Sequence, residues 1–78
     1  MTIGKRIETI RKENGLTVDE FASVLKVTPQ TVRFWEQDKI LIRLVDAVEI
    51  CKVFRVQMNW LAGFSGGIIR EVSDGDDR

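Results

Sequence analysis

Apolar residues recur at helical spacing along the first part of this chain. Ile3, Ile7 and Ile10 are separated by four and then three residues, with charged residues between them. This spacing places the three side chains on one face of a helix. Asn14-Gly15 follows, a pair that is typical of a helix end. The pattern predicts a first amphipathic helix from about residue 2 to residue 13.

Two further helices have recognisable start signals. Thr17 is followed three residues later by Glu20, the arrangement that forms a capping box. Thr28 precedes Pro29, and proline suits the first helical position because the N–H it lacks would be unpaired there. Residues 17–25 and 28–37 are therefore predicted to form two short helices joined by a short link at 26–27.

The remaining pattern predicts two more helices and a tail. One face of the fourth helix contains Leu44, Ala47, Val48, Cys51 and Phe54, which we predict to be its inner side. The stretch "VQMNWLAG" predicts a short fifth helix that ends at Gly63. By their helical phase, the two tryptophans, Trp35 and Trp60, are predicted to lie in the core.

Composition changes sharply after residue 63. The stretch "FSGGIIREVSDGDDR" begins with glycines, contains "IIREV" with strand propensity, and ends in a solvated acidic run. We therefore predict an all-α domain of five helices over residues 1–63. Residues 64–78 are predicted to form a short, flexible, acidic tail, in which "IIREV" is a possible strand.

The absence of certain residue types excludes several kinds of chemistry. The chain has no histidine and a single cysteine, Cys51. It therefore lacks the ligands of the common zinc sites and the base of Ser/His/Asp or Cys/His catalysis. Its apolar runs are too short for a membrane span or a signal peptide. We expect a cytoplasmic protein that is not an enzyme, needs no cofactor and does not enter a membrane.

The charge balance does not by itself indicate a nucleic-acid partner. The net charge is zero, with ten basic and eight acidic residues over 1–63 and two basic and four acidic residues over 64–78. Nucleic-acid binders usually show a basic excess. If DNA is the partner, basic residues must be concentrated on the binding surface, because the whole chain has no excess of positive charge.

The helix predicted over 28–37 has an unusual outer stripe. Val32 and Trp35 fall on one side of it, whereas the other side carries Gln30, Arg33, Phe34 and Gln37. Glutamine can form paired hydrogen bonds with adenine, arginine with guanine, and an apolar ring can contact a thymine methyl group. The stripe therefore has the side chains of a base reader, although a surface that grips another protein could use the same mixture.

Three segments together resemble a known family. "IGKRIETIRKENGLTVDEFA", "LKVTPQTVRFWE" and "AVEICKVFRVQMNWLAG" are similar, in order and spacing, to the phage-repressor and Cro-like helix-turn-helix proteins (the XRE family). The resemblance covers roughly residues 3 to 63. It implies that the helices over 17–25 and 28–37 form a helix-turn-helix, with the second as recognition helix in the major groove.

Site residues follow from this resemblance by position. Those expected to contact bases by position are Pro29, Gln30, Thr31 and Arg33, and the outer stripe adds Phe34, whose ring could contact a thymine methyl group. Those expected to contact phosphates are Thr17 and Thr28 at helix amino ends, Lys39 after the recognition helix, and Lys5 and Arg6 on the first helix. The resemblance also implies an ion pair between Arg11 and Glu36, which links the first helix to the end of the recognition helix.

An apolar run interrupts the loop after the recognition helix. Ile40, Leu41 and Ile42 are adjacent, and exposed apolar clusters tend to mark partner surfaces. In the family this loop and the fifth helix meet across a dimer axis. We therefore expect a homodimer, at least on an inverted-repeat operator in double-stranded DNA, with Ile40, Leu41, Ile42, Met58 and Trp60 at its interface.

Four residues depart from the family pattern, and two of them, Val18 and Asp38, favour an alternative together with the neutral charge and the apolar loop. Val18 stands where glutamine usually holds a phosphate, Lys26 and Asp38 replace glycines, and Ile42 replaces a proline. The leading hypothesis remains a sequence-specific transcriptional regulator, such as a repressor of phage or mobile-element type. The alternative is a helix-turn-helix fold that binds a protein partner, as an antitoxin-like or antirepressor module.

Overall fold

Five helices make up the part of the chain that the structure, a computed structural model, describes, which is residues 1–63. They are α1 (Ile3–Glu13), α2 (Val18–Leu25), α3 (Pro29–Glu36), α4 (Leu44–Phe54) and α5 (Met58–Ala62). The prediction of an all-α, five-helix domain is confirmed. The predicted tail at 64–78 and its "IIREV" strand lie outside the described residues. None of the five helices is long and apolar enough to cross a membrane.

The residues that predicted the starts of α2 and α3 form capping hydrogen bonds. At α2 the Thr17 hydroxyl accepts from the Glu20 N–H at 3.1 Å, and the Glu20 carboxylate accepts from the Thr17 N–H at 2.9 Å. At α3 the Thr28 hydroxyl accepts from the Thr31 N–H at 3.1 Å. These oxygens pair N–H groups that have no partner inside the helix. The starts of α2 and α3 were therefore readable from sequence.

The turn between α2 and α3 is made without a glycine. Lys26 ends α2 in the left-handed backbone conformation, with φ of 60°, which favours glycine because a Cβ atom is strained there. The Val27 N–H then donates to the Ala22 carbonyl at 3.0 Å and closes the helix. The chain therefore makes the family's turn at some cost in backbone strain.

The core takes buried side chains from every helix. Phe21 of α2 is fully buried and stacks on Phe54 of α4, with 5.2 Å between the ring centroids. α3 packs on both α1 and α2, while α4 packs on α2 and α5. The buried apolar residues are Ile7, Ile10, Phe21, Ala22, Leu25, Val32, Trp35, Ala47, Ile50 and Leu61. The helix-turn-helix pair is thus held from behind by α1 and α4.

Two of the residues predicted to lie on the inner face of α4 are exposed, so that part of the prediction is wrong. Leu44 is 74% exposed and Val48 is 40% exposed, whereas Ala47 and Ile50 are the buried residues of this helix. The buried face is therefore rotated away from the predicted one. Its phase is set by packing on α2 and α5, and both flanks of α4 carry apolar residues, so periodicity alone could not choose between them.

Trp60 is also not the core residue that its phase indicated. It is 40% exposed, and Leu61 is the residue that α5 buries. The Trp60 ring instead lies under the guanidinium of Arg6, with 5.6 Å from Cζ to the ring centroid. A five-residue helix is too short for its apolar phase to be read reliably. Trp35, in contrast, is buried as predicted.

Candidate nucleic-acid interface

α3 presents a polar edge to solvent and an apolar edge to the core. Gln30, Arg33 and Gln37 are exposed, while Val32 and Trp35 are almost completely buried. Because the buried pair anchors the helix, the three polar side chains are held along one outer line. The sequence-predicted stripe is therefore presented by the fold, except that Phe34 is partly buried.

The first turn of α3 is locally ordered by two threonines. The hydroxyls of Thr28 and Thr31 are hydrogen-bonded at 2.8 Å, and both Pro29 and Thr31 are partly buried. Pro29 has no N–H, and the Thr31 N–H is donated to Thr28, so the Gln30 N–H remains to face an anion at this end. No acidic residue lies in this first turn.

The amino end of α2 is less suited to a phosphate. The capping box already occupies the Thr17 and Glu20 N–H groups. Two carboxylates, Asp19 and Glu20, lie in the same turn. These negative charges neutralise the positive amino end of the helix dipole and would repel a phosphate. Among the predicted phosphate contacts, Thr17 is therefore the one with the least favourable local charge.

One of these acids reaches the recognition helix. Asp19 Oδ1 lies 4.0 Å from Arg33 Nη2, and both side chains are well exposed. The Val18 side chain, in contrast, packs against the core. The polar link between the start of α2 and the outer edge of α3 is thus made by Asp19. Sequence reasoning missed this residue, since its only signal was a charge opposite to that of Arg33.

The predicted basic contacts on α1 differ from each other. Lys5 is exposed and forms a 3.3 Å ion pair with Glu8. It lines a polar cleft of about 450 Å³ together with Arg33, Gln37 and three acids, Glu8, Glu36 and Asp38. Glu8 also pairs with Lys12 at 3.1 Å, and the hydrogen bond from Lys12, more than that from Lys5, lowers the Glu8 pKa. Lys5 thus belongs to the surface that continues from α3.

Arg6 is engaged elsewhere. Its Nη1 donates to the Met1 carbonyl at 2.6 Å, and its guanidinium covers the Trp60 ring. The side chain is partly buried, unlike those of Lys5 and Lys39, which are exposed. The structure therefore separates Arg6 from the other predicted phosphate contacts and gives it a packing role between α1 and α5. Lys39 lies three residues after the end of α3.

A nearly buried ion pair fixes the carboxyl end of α3 to α1. Arg11 donates through Nε to Glu36 Oε2 at 2.7 Å and through Nη2 to Glu36 Oε1 at 3.1 Å. A third bond runs from Arg11 Nη1 to the Leu16 carbonyl at 3.0 Å. Bonding to Glu36 raises the Arg11 pKa above its usual value. The guanidinium therefore joins α1, α3 and the loop before α2.

Asp38, just after α3, forms a second set of hydrogen bonds to the start of α1. Its carboxylate accepts from the Thr2 hydroxyl at 2.6 Å and from the Gly4 N–H at 2.9 Å. The Thr2 bond, followed by the Gly4 bond, lowers the Asp38 pKa below its usual value. A carboxylate that suits a helix amino end thus replaces the family's glycine at φ of 58°.

Gly4 allows α1 to approach the end of α3 this closely. A Cβ atom added at Gly4 would lie 2.3 Å from the Trp35 carbonyl oxygen and 2.8 Å from that of Glu36. Both atoms belong to the backbone and cannot rotate away. Sequence reasoning found Arg11 and Glu36 through the resemblance but missed Gly4 and Asp38, which are separated by 34 residues.

Comparison with known proteins agrees with this geometry. A family model described as "Helix-turn-helix" matches residues 7–61. The chain belongs to the helix-turn-helix family. This match confirms the resemblance to the XRE-type proteins, a family of DNA-binding transcriptional regulators that is not typically enzymatic. No curated protein and no solved structure matches the chain.

The helix-turn-helix domain also exposes an apolar surface beside α3. We define the apolar patch as Ile40, Leu41, Leu44, Val45 and Val48, whose exposures are 44, 83, 74, 64 and 40%. The last three lie on one flank of α4 at helical spacing. A groove of about 310 Å³, lined by Val27, Trp35 and other residues, adjoins Ile40 and Leu41.

The other predicted interface residues are placed differently. Ile42 and Met58 are partly buried and pack against the core of the helix-turn-helix domain, so they have little side chain to offer a partner. Trp60 is exposed but covered on one face by Arg6. Only Ile40 and Leu41 of the predicted set belong to the apolar patch. Leu44, Val45 and Val48 were missed because Leu44 and Val48 had been placed inside.

Proposed function

We propose that this protein is a sequence-specific transcriptional regulator of repressor type that inserts α3 into the major groove of double-stranded DNA. One observation carries the proposal: Gln30, Arg33 and Gln37 form an exposed polar edge on a helix whose opposite side is locked into the core. A base reader needs side chains with paired donors on a rigid support. This arrangement meets both needs.

The base contacts would be divided by chemistry. Gln30 would pair with adenine and Arg33 with guanine, and the exposed part of Phe34 or Pro29 would contact a thymine methyl group. The Thr31 hydroxyl, bonded to Thr28, would keep the first turn in place more than read a base. Phosphates would be met by the Gln30 N–H beside Thr28, and by Lys39 and Lys5.

A second copy would complete the operator contact. The apolar patch offers five aliphatic side chains, led by Leu41 and Leu44, that the single chain leaves in water. A symmetric dimer that buries this patch would place two copies of α3 on an inverted repeat. We expect half-site centres about 10–10.5 base pairs apart if docking is of repressor type.

Binding selection from random duplexes tests this function. We expect an inverted repeat to be enriched at low salt, and Gln30→Ala and Arg33→Ala to relax preference at separate base pairs by about 1–3 kcal/mol each. Lys39→Ala should weaken all sequences alike and reduce the salt slope by about 1. Lys52→Ala, which removes an exposed lysine from α4, is the matched control and should change neither.

One set of observations favours a second candidate, a domain that binds a protein partner. Asp19 and Glu20 place negative charge at a helix end where phosphates would pass, and the apolar patch is exposed on the loop after α3 and on α4. If selection enriches no sequence, and a purified protein partner loses binding on Leu41→Asp but not on Arg33→Ala, the regulator proposal fails and this candidate replaces it.

A further inference from the structure

The contact between Asp19 and Arg33 links an acid on α2 to the central side chain of the polar edge. Asp19 lies in the first turn of α2, which has no basic residue of its own, and its carboxylate faces across to Nη2 of Arg33 at 4.0 Å. Both groups are exposed, so their pairing contributes little to folding stability. Its effect is therefore on the charge and orientation of Arg33.

We propose that Asp19 is a positioning residue that aims Arg33 at a base and lowers affinity for DNA lacking that base. This inference rests on the proposed function. A guanidinium has five N–H donors in a rigid fork. The approach of Asp19 toward Nη2 leaves the remaining N–H groups free to form a paired contact with the N7 and O6 acceptors of guanine.

The same carboxylate weakens the competing contact. Without Asp19, Arg33 could turn to the nearest phosphate on any sequence, since phosphate attraction depends on charge and not on base identity. The Asp19 charge offsets that of Arg33 and repels the phosphate directly. A guanine edge is uncharged and is therefore penalised much less. The acid thus selects against sequence-independent binding more than against base readout.

The geometry of α2 makes Asp19 the residue suited to this role. Val18 packs against the core, and the Glu20 carboxylate is held by the Thr17 N–H at 2.9 Å. Asp19 has neither restraint: its side chain is 76% exposed. On α3, Gln30 and Gln37 carry no charge, so Arg33 is the group on the polar edge that a carboxylate controls most strongly.

The first test uses the free protein. Side-chain ¹⁵N relaxation of the Arg33 guanidinium should show restricted motion in the wild-type chain and faster motion in Asp19→Asn. Asp19→Glu, which retains the charge, should restore part of the restriction. Equal Arg33 mobility in the wild type and Asp19→Asn overturns the inference, whatever the protein binds.

The second test measures discrimination on DNA. The ratio of affinities for the selected site and for the same site with the Arg33 base pair changed should fall by up to about fivefold in Asp19→Asn. Binding to unrelated duplex should rise by a similar factor. Glu49→Gln, which removes the same charge from α4, should leave the ratio unchanged. In an Arg33→Ala background, Asp19→Asn should no longer affect that base pair.

The outcomes separate the two proposals. A selected site whose discrimination ratio is the same in wild type and Asp19→Asn overturns the role of Asp19 while the regulator function stands. If the wild type selects no site, the regulator function and the discrimination role fail together. Restricted Arg33 motion in the free protein would then support only the contact itself.

Discussion

At the junction of α1 and α3, charged side chains are nearly withdrawn from water, whereas at the apolar patch five aliphatic side chains remain in contact with it. The Arg11 and Glu36 side chains are 12 and 10% exposed. Arg11 donates two hydrogen bonds to Glu36 and one to the Leu16 carbonyl. Leu41 and Leu44 are 83 and 74% exposed. Both regions adjoin α3.

The two regions serve different contacts of α3. A buried ion pair is kept only where its hydrogen bonds are satisfied, and it then fixes the relative position of two helices. Exposed leucines, in contrast, contribute nothing to the stability of the single chain and gain only from burial by a partner. The junction therefore holds α3 in place within one chain, and the patch is suited to placing two chains together.

The strongest way to break the junction is to remove the Glu36 carboxylate. Glu36→Ala leaves Arg11 nearly buried without its partner, so we expect a loss of about 3 kcal/mol in the free energy of unfolding. Glu8→Ala, which removes an acid from exposed pairs on α1, is the control and should cost less than about 1 kcal/mol. Equal denaturation midpoints for the two variants would show that the pair does not stabilise the junction.

The corresponding change at the patch is Leu41→Asp. Each buried leucine contributes roughly 1.5–3 kcal/mol, and a symmetric interface contains it twice, so dimerisation should weaken by about 100-fold or more. Sedimentation measures the change, while thermal unfolding of the single chain should be unaffected. Ile42 is unsuitable for this test because it packs against the core.

Val53→Asp is the matched control for the patch, since Val53 is exposed on α4 outside it. It should leave self-association unchanged. A wild-type dimer that persists in Leu41→Asp, or one that dissociates equally in Val53→Asp, would mean that the patch is not the interface.

A smaller effect is expected when the approach of α1 to α3 is obstructed. Gly4→Ala forces a Cβ atom against the Trp35 and Glu36 carbonyl oxygens, and such overpacking costs about 1–3 kcal/mol. Glu13→Ala, at an exposed position of the same helix, should stay within about 0.5 kcal/mol. Chemical denaturation of both variants checks this. Wild-type stability in Gly4→Ala would show that the two helices can separate at no cost.

The smallest expected effect is the pH dependence of the stabilisation that the Asp38 hydrogen bonds provide. Hydrogen bonds from Thr2 and Gly4 lower the Asp38 pKa in the folded state below its usual 3.8. The stabilisation is therefore present above that pH and is lost as the pH falls through the lower folded-state value. We expect wild type to have a higher Tm than Asp38→Asn near neutral pH, with the gap closing in acid.

Asparagine is the suitable replacement because it tolerates the left-handed backbone at this position. The Tm difference between wild type and Asp38→Asn should then report the loss of the charge. A gap that stays constant down to about pH 2, well below the usual pKa, would contradict the assignment.

Features that depend on a few neighbouring residues could be predicted from the sequence. The capping box of Thr17 and Glu20, the proline start at Pro29 and the end of α5 at Gly63 are each completed within one helical turn. The polar edge of α3 was predicted for the same reason, because Val32 and Trp35 fix its phase.

Features that depend on distant packing could not be predicted from the sequence. In the sequence Asp38 was only a replacement for the family's glycine, and its contacts with Thr2 and Gly4 show it to be a cap for α1. Leu44 and Val48 were assigned to the core because α4 is apolar on more than one flank. Arg6 and Lys5 are both basic residues of α1 and were predicted to contact phosphates together, yet the Arg6 guanidinium packs on the Trp60 ring of α5.

Local hydrogen bonds and short-range periodicity thus fix where α2 and α3 begin and which side of α3 faces outward, and both could be predicted from the sequence. Which charged side chains hold the helices together, and which apolar side chains stay in water, is decided by packing. Those outcomes depend on residues up to 36 positions apart, and on the rotation of α4 set by its neighbours α2 and α5. No local pattern carries that information, because it arises when the helices pack.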